Sequence, residues 1–408
     1  MRRRVVITGI GLATPIGASL AEVSRALRED VSGVRVQRDW ASIGHLATRL
    51  GGEYAGPLAG RDRKKIRTMG RVARLALTAT EQAIADAGID ERTLTHPRTG
   101  LAYGSTHGSS SAYVEFARPL LRDDSFEGLP STSYLKFMSH TCAANLAQYY
   151  GVQGRVVSTC AACVSGSQAI GAGLEAIRAD KADVMICGGA EELHWTHAGV
   201  FDIMYVTSTR YNDRPWASPR PFDAARDGLV VGEGAGTVVL EELEHAKKRG
   251  AHVYAEVLGY GTNCDGTHVT SPSAEGMATA IRLALEDARL APDAIDYVNA
   301  HATATEVGDL AESLAMHAVF GARTPVSSSK GFMGHTLGAC GAIEVGLCIA
   351  MMRDGFLAPT KNLEEVDPRC APLDYVRGEP REVRPRTVMT NNFAFGGINT
   401  SLVLRSWS

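Results

Sequence analysis

No apolar run in this chain approaches the roughly 18 residues that a membrane-spanning helix needs, and neither sign of charge is in marked excess. The formal net charge is -3 over 408 residues, so no global basic field argues for a nucleic-acid partner. Aromatic residues are scarce, at 6%. Cysteine is too sparse, at 8 residues, to staple a chain of this length as a disulfide framework, and a reduced, cytoplasmic setting is the expectation. Low-complexity segments and long linkers are missing as well. What the chain does have is glycine, 43 residues of it, which favours tight turns and close backbone approaches over long smooth helices. A hydrophobic content of 45% against 21% charged is that of a soluble globular protein with a sizeable core.

The segment Arg2-Arg3-Arg4 followed by Val5 to Ala13 has the outline of a signal peptide. Thr8, Gly9 and Gly11 interrupt it and β-branched residues dominate it, so it reads as a strand ending in the turn Thr14-Pro15-Ile16-Gly17. Beyond it lies an internal repeat of large period. A helix pattern over 72–87 leads through Gly88-Ile89-Asp90 to a strand at 99–103 ending in Gly104-Ser105-Thr106-His107. A second helix pattern, 278–288, leads through Leu290-Ala291-Pro292 to a strand at 294–299 ending in His301-Ala302-Thr303. The next unit recurs too: a strand at 156–158 before a helix over 164–179, and a strand at 325–328 before a helix over 337–352. Both of these later helices carry small residues on several faces, which predicts central burial. Duplicated alternation of strand and helix predicts an α/β protein of two similar halves, 1–245 and 246–408, each with its chemistry at the polar ends of its βα units.

Four clusters offer chemistry. In Ser158-Thr159-Cys160-Ala161-Ala162-Cys163-Val164-Ser165-Gly166 a cysteine meets a strand-to-helix turn, where the helix dipole lowers a thiol's pKa and favours a thiolate nucleophile. The same stretch is C-x-x-C, so a redox pair or half a zinc site stays open; His194 and His197 beside Glu191 and Glu192 have ligand-like spacing, but no second C-x-x-C exists. Asn299-Ala300-His301-Ala302-Thr303-Ala304-Thr305 offers an imidazole and two hydroxyls. Ser329-Lys330-Gly331-Phe332-Met333-Gly334-His335-Thr336 places a lysine and a histidine ahead of a small-residue helix. Asn391-Asn392-Phe393-Ala394-Phe395-Gly396-Gly397 reads as a mobile gate with free backbone N–H groups.

Taken in order, these clusters resemble the β-ketoacyl-acyl carrier protein synthases of thiolase fold. The resemblance covers nearly the whole chain, from Arg4-Val5-Val6-Ile7-Thr8-Gly9 through Asp62-Arg63-Lys64, Gly188-Gly189-Ala190-Glu191, Pro221-Phe222-Asp223 and Gly232-Glu233-Gly234-Ala235-Gly236 to Ala358-Pro359-Thr360-Lys361-Asn362-Leu363. It implies a thiolase-like α/β fold, two duplicated halves packed as a five-layer αβαβα sandwich. It also implies that the nucleophile is Cys163, by its offset from Gly171, with Cys160 on a small-residue position. His301 and His335 match the family's two histidines, Lys330 its lysine and Phe395 its gate. Glu344, Asp309 and Glu312 match supporting acids. Departures are Ala302 and Ala394 where the family usually has glycine, and Ile398 where it has a small or polar residue; these bear on gate motion and substrate shape. Ser139-His140-Thr141-Cys142-Ala143-Ala144-Asn145 and the segment 391–400 look most like ketosynthases of aryl polyene pigment clusters.

The activity implied is a decarboxylative condensation of a Cys163-bound acyl group with malonyl-acyl carrier protein, elongating a fatty acid, polyene or polyketide chain. The implied roles are an oxyanion hole from the N–H groups of Cys163 and Phe395, enolate stabilisation by neutral His301 and His335, Lys330 paired with Glu344 or Glu312, and Thr303 and Thr305 on the pantetheine arm. No bound cofactor and no metal are implied. The partner is acyl carrier protein, gripped at Arg63, Lys64 and Arg67, and the chain is expected to pair as a homodimer near 142–154 or as a heterodimer with a related subunit. A coenzyme A thiolase would carry a second cysteine in the 391–397 loop, a non-catalytic chain-length factor would lack Cys163, and a dinucleotide fold would complete Gly9-Ile10-Gly11 with glycine at 14; none of these is met.

Overall fold

The computed structural model describes residues 2–407. The first half runs β1 (Val5–Ala13), α1 (Arg71–Ala87), β2 (Thr99–Gly104), α2 (Ser110–Asp123), α3 (Thr141–Tyr150), β3 (Val156–Thr159), α4 (Ser165–Arg178), β4 (Val184–Glu191), α5 (Trp195–Ile203) and β5 (Gly234–Glu242). The second runs β6 (Ala255–Cys264), α6 (Ala274–Ala288), β7 (Tyr297–Asn299), α7 (Glu306–Phe320), β8 (Pro325–Ser327), α8 (Cys340–Asp354), β9 (Asp374–Tyr375), β10 (Thr387–Phe393) and β11 (Ile398–Ser406).

The strands of the first half lie in the order β3-β2-β4-β5-β1 and those of the second in the order β8-β7-β10-β11-β6. With the two-residue edge strand β9, which pairs with β8, set aside, each series ranked within its own half reads third, second, fourth, fifth, first. The directions repeat too: the first two pairings in each series are parallel and the last two antiparallel. Antiparallel pairing of Val6 with Glu256 and Ile7 with Ala255 joins the halves into one hydrogen-bonded surface. Helices α1 and α6 pack on the outer faces, while α4 and α8 touch each other and strands of both halves. Two outer helical layers, the two halves of the large sheet and a central helical pair make the five layers.

Glycine and alanine set the outer packing identically in both halves. A Cβ on Gly9 would lie 2.2 Å from the Ala83 carbonyl oxygen, and one on Gly11 1.8 Å from that of Ala79. In the second half Gly259 would meet the Ala284 oxygen at 2.3 Å and Gly261 that of Ala280 at 2.2 Å. Helix and strand therefore approach to a spacing that only Gly against Ala permits. Both first strands shift register beside these glycines. Beyond Ile7 and Ala255 these two strands no longer pair with each other, and the Ile10 N–H donates to Asp86 and the Tyr260 N–H to Asp287, each at 2.9 Å.

The central helices are buried as their small residues predict: every residue of α8 from Cys340 to Met352 is buried. Three boundaries differ from the sequence pattern. Leu337 sits in the left-handed region at φ 47°, so Leu337–Ala339 form a 3-10 turn and α8 starts only at Cys340. Pro292 opens a 3-10 turn, and the following strand starts at Tyr297 instead of 294. Ser273 caps α6 by accepting from the Gly276 N–H, so that helix begins at Ala274. Among the described residues no helix is long and apolar enough to cross a membrane.

Candidate active site

Cys163 lies in a 3-10 turn, Ala162–Val164, between β3 and α4. Ala162 opens the turn at φ 48°, a strained conformation for a residue with a Cβ. It matches the turn at Leu337 that opens α8, so the two central helices enter the molecule through the same local geometry. His335 stands two residues before the second turn. Its Nε2 lies 3.0 Å from Cys163 Sγ. The rings of His301 and His335 meet edge to face, 5.0 Å apart at 88°. The three side chains share a cavity of about 450 Å³, whose wall also includes Thr303, Thr305 and Phe395.

The surroundings explain the protonation states. Burial holds both imidazoles well below the ordinary histidine range, and the Lys330 charge pushes in the same direction, so both are neutral at neutral pH. Lys330 is itself buried and bonds Glu344 Oε1 at 2.5 Å. Burial pulls its pKa down, but the Glu344 carboxylate outweighs that and keeps the ammonium charged. Burial also pushes the Cys163 thiol up to about 12, against a smaller downward pull from Lys330. This differs from the expectation of a dipole-lowered thiol. The turn precedes α4 but is desolvated, and desolvation exceeds what a helix terminus supplies.

The supporting acids divide their work. Glu344 takes Lys330 and, on its other oxygen, Asn392 Nδ2 at 2.7 Å. Glu312 does not reach Lys330; it accepts from the His301 and Ala302 N–H groups at 2.8 and 2.6 Å, fixing the loop that carries the histidine. Asp309 accepts from the Phe222 and Ala304 N–H groups at 2.7 and 3.1 Å and so holds the loop bearing Thr303. Ala302, one of the departures, is thereby tied down by its own N–H.

Phe395 is 37% exposed and stacks 5.6 Å from Phe201. Its neighbours Gly396 and Gly397 occupy the left-handed region at φ 87° and 70°. The Gly396 N–H bonds the Val269 carbonyl and the Asp265 N–H bonds Gly397, so the gate is latched to the loop 265–269. Between the bonds of Ala394 and Gly396, the Phe395 N–H donates to no group among the described residues. Arg63, Lys64 and Arg67 lie away from this cluster, exposed on and just beyond the short helix Arg63–Ile66. Cys160 does not pair with Cys163; its Sγ points at the Thr106 carbonyl.

Two domain profiles match this chain: β-ketoacyl synthase, N-terminal domain, over residues 2–246, and β-ketoacyl synthase, C-terminal domain, over residues 254–364. The chain belongs to the β-ketoacyl synthase family. It is 39% identical to 3-oxoacyl-[acyl-carrier-protein] synthase 1 of Escherichia coli K12 over 405 residues, 99% of each chain. A crystal structure of a β-ketoacyl synthase from Burkholderia phymatum STM815 superposes with a TM-score of 0.97 at 51% identity, covering 100% of both chains. A type II polyketide ketosynthase, solved in complex with its acyl-carrier protein, superposes with a TM-score of 0.89 at 30% identity, again over 100% of both.

In this β-ketoacyl synthase the ligand atoms of Cys163, His301 and His335 all lie within 4.8 Å of one another. That spacing would suit a soft metal ion, but the Lys330 charge acts on all three groups and opposes a cation there. Sequence reasoning passed over Asn392, Cys340 and Phe201. Asn392 stands in the gate segment beside Asn391, but nothing in that strand, Thr387–Phe393, marks it out as the partner of Glu344. Cys340, whose Sγ donates to the Cys163 carbonyl oxygen at 3.2 Å, and Phe201 carry no local signal; only folding brings them to the site.

Proposed function

We propose that this chain is a condensing enzyme that takes an acyl group from acyl carrier protein onto Cys163 and joins it to malonyl-carrier protein with loss of carbon dioxide. The observation that carries the reading is the Cys163 thiol 3.0 Å from the Nε2 of a buried, neutral His335, with His301 set square to it. In the first half-reaction the sulfur attacks the incoming thioester carbonyl, and the pantetheine thiol leaves with the proton. The Cys163 and Phe395 N–H groups hold the oxyanion. In the second, the malonyl carboxylate departs as carbon dioxide and its electron pair becomes an enolate, stabilised by N–H donation from His301 and His335. The enolate carbon attacks the acyl thioester and Cys163 is released. Burial, with the Lys330 charge pushing the same way, keeps both imidazoles neutral, so each donates without holding a full charge. Thr303 and Thr305, whose hydroxyls are 3.0 Å apart on the cavity wall, bind the pantetheine arm. Substrates arrive on that arm, and no resident cofactor is needed.

The test is peptide mapping after exposure to acyl-carrier protein. Label is expected on Cys163 and not on the exposed Cys160, and Cys163→Ala should end condensation. Condensation that survives Cys163→Ala, with label on Cys160, would overturn the assignment.

The carrier protein is acidic, and Arg63, Lys64 and Arg67 are exposed without an ion-pair partner among the described residues. Arg63→Glu with Lys64→Glu should raise KM for acyl-carrier protein severalfold, more at low salt, and spare turnover of a short pantetheine thioester. Equal losses with both substrates would remove the docking role.

A homodimer is the assembly we favour. Strand β3 is one edge of the large sheet, with Val156 45% exposed, and is longer than the two-residue β9 at the other edge. Light scattering should give twice the chain mass; a stable, active monomer would contradict it. Pairing with a related ketosynthase-like subunit would use the same edge. The chain divides functionally at 245/246, the thiol in one half and the histidines in the other. Its eight unpaired cysteines suit a reducing, cytoplasmic setting. Product class within fatty acid, polyketide or aryl polyene synthesis follows from the acyl group it accepts, with aryl polyene the reading favoured by the 139–145 and 391–400 segments.

A further inference from the structure

The loop between β7 and α7 carries two kinds of group. His301 belongs to the chemistry at Cys163, while Thr303 and Thr305 line the part of the cavity assigned above to the pantetheine arm. Its two ends are anchored by different acids. Glu312 accepts from the His301 and Ala302 N–H groups, whereas Asp309 accepts from that of Ala304.

The threonine end is held against local preference. Ala304, between the two threonines, occupies the left-handed region at φ 68°. Thr305 stands at the N-cap of α7, where a threonine hydroxyl ordinarily accepts from an N–H of the first turn, yet it makes no such bond. Its Oγ1 lies instead 3.0 Å from that of Thr303. Gly308 leaves room for this, because a Cβ there would sit 2.4 Å from the Thr305 oxygen. One hydroxyl of the pair donates to the other, which leaves one hydrogen and free lone pairs for an amide of the arm.

Behind this loop lies a buried guanidinium. Arg226, whose side chain is 2% exposed, donates from Nη2 to the Glu306 carbonyl at 3.0 Å and from Nε to that of Thr305 at 3.4 Å. Its Nη1 donates to Asp367 Oδ2 at 2.6 Å and to the Asp223 carbonyl at 3.0 Å. Asp309 Oδ2 lies 3.8 Å from Nε and accepts from the N–H of Phe222, a second left-handed residue at φ 63°. One carboxylate thus ties two strained positions from two segments, and Arg226 bridges the same segments. Among the described residues none of its hydrogen bonds goes to His301 or Cys163.

We infer that Arg226 is a positioning residue for the carrier arm. It sets the threonine pair through the Thr305 and Glu306 carbonyls, and so governs how tightly the arm is held without acting on the chemical step. This role rests on the condensing function proposed above and deepens its arm site.

The test is Arg226→Lys, which keeps a positive charge beside Asp309 and Asp367 but loses the planar fork. Decarboxylation is followed with malonyl-carrier protein, malonyl-pantetheine and the malonyl thioester of ethanethiol, which has no amide. KM should rise about fivefold to tenfold, the worth of one neutral hydrogen bond, and equally for the first two substrates. Turnover at saturation should hold, and the ethanethiol thioester should be unaffected. Loss of the docking patch would spare malonyl-pantetheine, so the two defects are distinct. Arg226→Gln, which donates to one carbonyl without a charge, should show the same pattern. In a protein already carrying Thr303→Val and Thr305→Val, Arg226→Lys should add nothing to KM, because it acts only through those hydroxyls. Calorimetry with pantetheine alone should show the same weakening, a readout that needs no turnover. Unchanged KM in both Arg226 variants, a loss confined to kcat, or equal defects with the ethanethiol thioester would overturn the role and leave Arg226 a brace of the fold. Pantetheine binding that weakens in Arg226→Lys, in a protein that decarboxylates no malonyl thioester, would support the role and count against the condensing function.

Discussion

His301→Ala is expected to slow malonyl decarboxylation by about 10²–10³-fold, the usual cost of losing one donor to a developing oxyanion, while acyl transfer to Cys163 falls only severalfold. The two half-reactions separate because His301 does not contact the sulfur, whereas His335 Nε2 stands 3.0 Å from it. His335→Ala should therefore depress both steps. Both rings are buried and neutral, so each presents an N–H without the desolvation cost of a buried imidazolium. Carbon dioxide release from malonyl-carrier protein and burst acylation, measured on the same preparations, give the comparison. Wild-type decarboxylation in both variants would show that the enolate is held elsewhere.

Glu344→Ala should be the most destabilising change in the site, at about 3–5 kcal/mol, because it strands the Lys330 ammonium in a dry interior. Lys330 is 1% exposed and Glu344 0%, and they are 2.5 Å apart. Asn392 would lose its partner as well. Removing both charges together, Lys330→Met with Glu344→Leu, should recover much of the stability, since two apolar side chains carry no solvation debt. It should not recover condensation, because burial alone still keeps His301 and His335 neutral but the Lys330 charge that pulls the Cys163 thiol down is gone. Denaturant midpoints and turnover of the two variants separate these effects. A Glu344→Ala protein as stable as the wild type would mean that water reaches Lys330 and that the pair is not a buried one.

Much of the frame was readable in the sequence. The duplicated strand and helix patterns foretold the repeated strand order, and the small residues of α4 and α8 foretold their central place. Cys163, His301 and His335, far apart along the chain, do meet in one cavity. What escaped was set by tertiary context. A cysteine before a helix suggested a lowered pKa, but burial, invisible in a local window, reverses the sign. Glu312 and Glu344 are alike in sequence; only the fold assigns one to backbone N–H groups and the other to Lys330. The left-handed Leu337 defeated its helix pattern because nothing about a leucine advertises a positive φ.

The matched turns at Ala162 and Leu337 bear on ancestry. Two copies of one shape face each other across the molecular centre, yet one has kept a sulfur and the other an imidazole two residues upstream. A protein made of a single copy would have to pair with itself and carry both groups on every turn. Fusion lifts that requirement and lets the twins diverge, so that sequence drift in either half is policed by the chemistry retained in the other. Separately expressed halves should accordingly be inert alone, each preserving half of an inheritance that only the joined chain can spend.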